Sequence, residues 1–351
     1  MTDHWVRWAY LGWLAPAKVT PYILHGVQPP RQRPTSIRAE LWDRAGAMAE
    51  KAGWMDRSDI RWIRFIDAGY PPELLHLAKP PLGLFVRGTG GLATAKPVAV
   101  VGTRRMSHDG RFAAQLVAST LVNAGCTVLS GLAHGIDAVA HRAALEAGGM
   151  TWAVTASGVD HPGPPSNRTL ANEVMEHGLL LSEAPPDVAT TQRWHYPQRN
   201  RLVAALARAV VVVEAPLRSG ALNTASHAAE LGRSVWAVPG PLRAGSCQGS
   251  NVLLRDGAGF IGCADDLLGL LGLEAPTQHP PSDPVLRDLA DGYTSARAIS
   301  EHLGLDEAVI RRSLLDLELR GLVARNGDDR YRLRTQFGVQ GTLEGIDHER
   351  E

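Results

Sequence analysis

Three glycine-rich turns, each following a predicted strand rich in Val, Leu and Ala, hold the residues of this chain best suited to chemistry. The segments are Gly102-Thr-Arg-Arg105, Gly131-Leu-Ala-His-Gly135 and Arg218-Ser-Gly220. A buried parallel strand followed by glycine and a helix start leaves backbone N–H groups unpaired at one sheet edge, where anions bind. The turns carry arginines and no nucleophile with an obvious base beside it. We therefore predict that they hold a phosphate chain rather than break a bond.

A fourth basic segment, His195-Tyr-Pro-Gln-Arg-Asn-Arg-Leu202, opens a predicted helix. It places Arg199, Asn200 and Arg201 near the helix N-terminus. Cations there oppose the helix dipole, so a bound anion is one reason for their presence. The alternative is that they are ordinary surface residues.

Glu214 is the acidic residue best placed to take part in chemistry, because it ends an apolar strand. A carboxylate there could act as a general acid or base, or it could hold an arginine in place. We favour the second interpretation because no partner acid is identifiable. His134 and His141 show no metal-ligand spacing and are predicted to be non-catalytic. The glycine turns match neither the dinucleotide fingerprint nor a P-loop, and we predict no cofactor and no metal.

The composition is that of a soluble globular protein. The 351 residues are 44% hydrophobic and 21% charged, with a net charge of zero. Nucleic-acid binding must therefore rest on the local placement of charge. Three cysteines without metal-ligand spacing fit a reducing cytoplasm, and no apolar run of about 18 residues predicts membrane insertion.

Strict alternation of strands and helices between residues 97 and 270 predicts the main domain. Continuous apolar strands separated by amphipathic helices indicate a parallel sheet covered on both faces. The expected architecture is α/β, a doubly wound Rossmann-like sheet. The predicted strands are 97–101, 126–130, 150–155, 178–182, 209–214 and 234–238.

Smaller modules are predicted on either side of this domain. We divide the chain into a helical, SAM-like module (1–65), the Rossmann-like domain (66–271), a proline-rich linker (272–284), a winged-helix domain (285–335) and a polar tail (336–351). The core is expected to suffice for single-strand binding. The winged helix would add contact with duplex DNA or with a protein, two alternatives that its third helix, with three arginines and four acids, leaves open.

At these motifs the chain resembles the bacterial DNA-processing protein family DprA, also called Smf. The segments that carry the resemblance are Gly102–Arg105, Ser130–His141, Leu181–Pro186, Tyr196–Arg201, Val213–Thr224 and Ala237–Gly240. Two departures are visible. His134 replaces the arginine usual in the second motif, and His161-Pro-Gly-Pro-Pro165 replaces a Tyr-Pro pair.

The resemblance implies a dimeric protein that binds and protects incoming single-stranded DNA in natural transformation and helps to load RecA. The residues expected to bind single-stranded DNA are Gly102, Thr103, Arg104, Arg105, Gly131, Gly135, Arg199, Asn200, Arg201, Arg218, Ser219 and Gly220. Two alternatives compete with this interpretation. The first is a Rossmann-like hydrolase of nucleotide glycosidic bonds that uses Glu214, which lacks a second acid. The second, a transcription regulator, leaves the core unexplained.

Overall fold

The computed structural model describes residues 3–93, 95–189, 192–272, 283–319, 323–326 and 329–333. The chain divides into two compact units, Met1–Gly262 and Cys263–Glu351. The expected domain boundaries at 65 and 271 remain predictions. Within the described residues, none of the helices has the length and apolar character that crossing a membrane requires.

The first unit is built on one nine-stranded sheet. Its strands are β1 (Ile60–Arg64), β2 (Gly83–Arg87), β3 (Pro97–Val101), β4 (Thr127–Ser130), β5 (Thr151–Val154), β6 (Leu179–Ser182), β7 (Ala209–Val212), β8 (Ser234–Ala237) and β9 (Gly259–Phe260). They lie side by side in the order β1-β2-β6-β5-β4-β3-β7-β8-β9. The six strands expected from the sequence are confirmed as β3 to β8.

Strand order places a switch point in the middle of this sheet. From β3 the chain winds outward through β4, β5 and β6, then returns to the other side of β3 for β7, β8 and β9, all in parallel. In doubly wound sheets, ligands bind in the crevice outside the carboxyl ends of the strands at such a point. The antiparallel extension β2-β1, attached to β6, was not predicted.

Helices cover both faces of the sheet. They are α1 (Asp3–Leu14), α2 (Pro16–Leu24), α3 (Ala39–Glu50), α4 (His108–Asn123), α5 (Ile136–Glu146), α6 (Arg168–His177), α7 (His195–Leu206), α8 (Gly220–Glu230) and α9 (Gln248–Arg255). Alternate strand residues enter two different cores. Leu180 belongs to one cluster, whereas its neighbours Leu179 and Leu181 belong to the other. The predicted α/β doubly wound architecture is therefore correct.

The N-terminal helices share a core with the sheet. Trp5 and Trp8 of α1 belong to the same buried cluster as Phe85 of β2 and Leu132, which follows β4. Trp62 of β1 stacks on Phe85 with ring centroids 5.4 Å apart. Indole rings fill much of the space between α1, α3 and the antiparallel strands, and burying their large apolar area stabilises this part of the fold.

Among its described residues, the second unit contains four helices and two antiparallel strands: α10 (Ala264–Leu270), α11 (Pro284–Ala290), α12 (Ala296–Leu303), α13 (Glu307–Leu319), β10 (Val323–Asn326) and β11 (Arg330–Leu333). Ser295 caps α12 and Gly304 ends it with a φ of 65°. The winged-helix assignment remains a prediction. Most of the linker, the hairpin turn at 327–328 and the polar tail lie outside the described residues.

Candidate functional site

A groove lies at the carboxyl edge of β3, β4, β5 and β7, beside the switch point. It consists of two neighbouring cavities of about 380 and 280 Å³. Both are lined by Arg104, Gly131, Ala133, Tyr196 and Arg199. Three turns from different parts of the sequence and the start of α7 therefore converge on one surface.

The first turn lies between two other segments of the chain. Thr103 N–H donates to the carbonyl of Glu214 over 2.7 Å, and Ile136 N–H donates to the carbonyl of Thr103 over 3.2 Å. A Cβ on Gly102 would lie 2.5 Å from the Ile136 side chain, so only glycine fits. This packing directs Arg104 outward, where its guanidinium lies over the Tyr196 ring, 4.9 Å from the centroid.

The second turn is held by Asp137. The buried carboxylate accepts from the N–H groups of Gly131 and Ala133 over 3.2 and 3.3 Å. Gly135, at φ 76°, occupies the N-cap position of α5, so Asp137 is not the capping residue of this helix. Asp137 therefore orders the turn that precedes the helix. Leu132 has a positive φ of 57°, which an L-residue rarely adopts.

Arg199 is the buried floor of the groove. Its guanidinium donates to the carbonyls of Gly131 and Val154, at the ends of β4 and β5, and Nε donates to Asn200. Burial lowers the pKa of Arg199, and the facing carboxylate of Asp137 opposes that effect. Burial likewise raises the pKa of Asp137. The hydrogen bonds of this guanidinium are made mainly with other groups of the protein.

Arg201 and Arg105 do not line either cavity. Arg201 pairs with Glu183 and donates to the carbonyl of Lys79. Residues two apart on a helix point about 200° away from each other, so Arg199 and Arg201 cannot both face the groove. Arg105 is exposed and its N–H donates to the Thr103 hydroxyl over 3.2 Å.

The third turn brings the N-terminus of α8 to the groove. Ser219 caps this helix by accepting from Ala221 N–H over 3.2 Å. Asn200 is buried and donates to the carbonyl of Gly220 over 3.1 Å, which ties α7 to α8. Arg218 is exposed and lines the smaller cavity.

The outer wall contains site residues that the sequence reasoning missed. Arg168, at the first position of α6, is exposed and lines the larger cavity. Asn167 places it there by donating to the carbonyls of Leu132 and Ala133 over 3.0 and 3.3 Å. His134 and the 161–165 segment, the two departures from the family pattern, line the same cavity.

Glu214 does not line the groove. Its buried carboxylate accepts from Ser107 N–H and Oγ over 2.9 and 3.0 Å. The expectation that it holds an arginine is wrong, because the partner is the serine that caps α4. Gly110 must be glycine here, since a Cβ would lie 1.9 Å from the carboxylate.

His141 is structural. The Thr151 hydroxyl donates to the carbonyl of Val128 over 2.8 Å, so at the 2.7 Å contact it accepts from Nδ1–H of His141. Burial, together with the charge of Arg199, lowers the pKa of His141 to about 3. Within the described residues, no group of three or more His, Cys, Asp or Glu side chains is placed to hold a metal ion.

Comparison with known proteins gave consistent matches. The profile of the family described as DNA recombination-mediator protein A matches residues 61–272. The chain is 35% identical over 306 residues to Protein Smf of Escherichia coli, covering 82% of each chain. It is 39% identical over 281 residues to the putative DNA processing protein DprA of Mycobacterium tuberculosis, covering 76% of this chain and 72% of that one.

Two solved structures share the fold. DNA processing protein A from Streptococcus pneumoniae aligns with a TM-score of 0.65 and 30% identity, over 77% of this chain and 98% of that one. The Helicobacter pylori protein, whose structure concerns its mode of binding single-stranded DNA, aligns with a TM-score of 0.55 and 28% identity, over 60% and 95%.

Proposed function

This chain belongs to the DNA recombination-mediator protein A family, and we propose that it binds single-stranded DNA in the groove at the carboxyl edge of its sheet. The observation that carries the proposal is a set of open cations. Arg104, Arg168 and Arg218 are exposed around the groove, and in the described part of the chain no carboxylate lies within ion-pair distance of them. Guanidinium groups that are not already paired are free to bind phosphates.

We expect the two cavities to bind different parts of a nucleotide. The smaller one is lined by Thr103, Arg218 and the N-terminus of α8, which suit a phosphate. The larger one is lined by alanines, prolines and the Tyr196 ring, which suit a base, with Arg104 and Arg168 beside them to bind its phosphate. Bases of a single strand stack on such rings, whereas bases of a duplex are already paired and stacked. This arrangement supports single-stranded DNA as the ligand.

The position of Glu214 favours binding over hydrolysis. Its carboxylate faces Ser107 and lines neither cavity, which is a poor position for a general acid or base. We therefore propose a binding protein without catalysis, acting in the cytoplasm. The resemblance further supports protection of incoming DNA, RecA loading and dimerisation. In the same proposal the C-terminal unit contacts duplex DNA or a protein.

The experiment compares two triple variants by fluorescence anisotropy with labelled poly-dT. Each phosphate contact of a single strand contributes roughly 0.7 to the slope of log K against the logarithm of salt concentration. Replacing Arg104, Arg168 and Arg218 by Ala should remove three such contacts and weaken binding about a hundredfold at 0.1 M salt. The slope should flatten by about 2. The matched control replaces Arg44, Arg142 and Arg243, which are exposed outside the groove. Equal binding by the two variants would refute the site.

A further inference from the structure

The outer wall of the groove is a pair of loops, residues 156–165 and 184–189. Gly158 N–H donates to the carbonyl of Val188 over 2.7 Å, and Asp160 N–H donates to that of Pro186 over 3.2 Å. The loops approach so closely that a Cβ on Gly158 would lie 2.1 Å from the Pro185 carbonyl oxygen. Both loops contribute residues to the larger cavity. Neither belongs to a strand or a long helix, so other elements must hold them in place.

Helix α1 holds the second loop. Tyr10 is fully buried, and its hydroxyl lies 2.6 and 2.8 Å from the two carboxylate oxygens of Asp187. Burial and this carboxylate raise the pKa of Tyr10, so the hydroxyl stays protonated and donates. Trp54 Nε1–H donates to the same hydroxyl over 3.2 Å, which fixes its orientation.

Arginines near β1 and β2 hold the first loop. Arg57 and Arg87 lie 2.7 and 3.1 Å from the carboxylate of Asp160, and Asp59 bridges both arginines. The Asp160 side chain is 21% exposed, so solvent screens this network less than a surface pair.

The start of α7 has a third anchor on α1. Trp13, one turn after Tyr10, stacks on the buried His195 ring with centroids 4.8 Å apart. The next residue, Tyr196, is the one that Arg104 covers. Val159 and Val188 of the two loops belong to the same buried cluster as α1. Helix α1 and the segment around β1 and β2 thus contact the elements of the groove at three points.

We propose that Tyr10, Trp13 and Arg57 are positioning residues that set the shape of the single-stranded-DNA groove from outside it. The inference rests on the proposed function. None of the three side chains lines the two cavities, so their effect on binding passes through Asp187, His195 and Asp160. Ordering the wall before the ligand arrives removes an entropy cost from binding.

The test uses the sign of an electrostatic effect. Removing the two acids in an Asp160→Ala/Asp187→Ala variant takes negative charge away from an anion-binding protein, which by charge alone should tighten binding. Positioning predicts the opposite, a loss of about tenfold in poly-dT affinity, or 1.4 kcal/mol. The salt slope should stay unchanged, because no phosphate contact has been removed. The matched control removes two exposed acids elsewhere, Glu146→Ala/Glu173→Ala.

A second variant tests whether a loss of affinity comes from released loops rather than from partial unfolding. Tyr10→Phe keeps the core volume and the net charge but releases Asp187, and it should also weaken binding. Melting curves identify the temperature at which both variants are folded and their affinities are compared. Affinity equal to or tighter than the acid control, or a flattened salt slope, overturns the inference. If the Arg104, Arg168 and Arg218 variant binds like the wild type, the proposed function itself has failed.

Discussion

Three arginines of the groove and two arginines of the C-terminal unit differ in whether the fold gives them an acidic partner. Arg104, Arg168 and Arg218 are exposed around the groove. In α13, Arg311 pairs with Glu307 and Asp329, and Arg325 of β10 pairs with Asp329, both at 2.7–2.8 Å. A cation that already has a carboxylate releases fewer counterions when a phosphate approaches.

Both arginines of α7 fall on the partnered side of this contrast. Arg199 is bonded to strand-end carbonyls and Arg201 to Glu183, although both stand in the segment that most resembles a basic DNA-binding motif. Counting basic residues therefore overestimates the binding surface. What matters is which guanidinium groups the fold leaves open.

The largest effect on stability is expected when the buried Arg199 is displaced from its carbonyl partners. In Gly131→Ala, the new Cβ would lie 2.0 Å from Nη1 of Arg199. We expect a loss of about 3 kcal/mol in the free energy of unfolding, because a buried charge loses its partners. Gly220→Ala is the control, with its nearest atom 3.7 Å away, and should change stability by less than about 0.5 kcal/mol. Urea denaturation measures both, and similar losses would mean that Arg199 is not essential to the fold.

A pH titration sharpens the comparison, because the charge of Arg199 helps to keep His141 neutral. In the unfolded chain His141 binds a proton below about pH 6.5, whereas in the fold its pKa is about 3. The unfolded state thus binds more protons in this window, and stability falls as the pH falls. From pH 7 to 5 this contribution is about 2 kcal/mol. The loss should shrink by that amount in His141→Gln, measured by denaturation at both pH values; an unchanged loss would contradict the assignment.

The smallest effect is expected in the C-terminal unit. Replacing Arg297, Arg311 and Arg325 by Ala removes three cations that already have acidic partners. Poly-dT affinity should change by less than about twofold, because exposed ion pairs of this kind contribute little. A loss approaching that of the groove triple would show that paired arginines also bind DNA. Anisotropy titrations at equal salt compare the two triples directly.

Much of the sheet could be predicted because most of its parallel strands are continuous apolar runs, and β3 and β4 are directly followed by glycine. The pair β1 and β2 could not, since 18 residues separate Arg64 from Gly83 and no tight turn links them. β2 pairs with β6 and β1 pairs with β2, and Trp62 of β1 stacks on Phe85 of β2. Such a contact has no local signature.

The site was predictable in its turns but not in the roles of its charges. Helical rotation alone indicates that Arg199 and Arg201 face different ways, but not which of them meets carbonyl groups. Arg168 follows no strand-end motif and reaches the groove only because Asn167 bonds to the second turn. Glu214 meets Ser107 across 107 residues of sequence, which no local pattern predicts.

The carbonyl-bound guanidinium of Arg199 has a consequence for the rate of binding. Its bonds to Gly131 and Val154 close the ends of two neighbouring strands before any ligand is present. Under the proposed function, an arriving DNA strand meets a preformed surface, so association should require no slow rearrangement there and should be governed by encounter and electrostatic steering. Differences between one nucleotide sequence and another then appear mainly in how long each complex lasts.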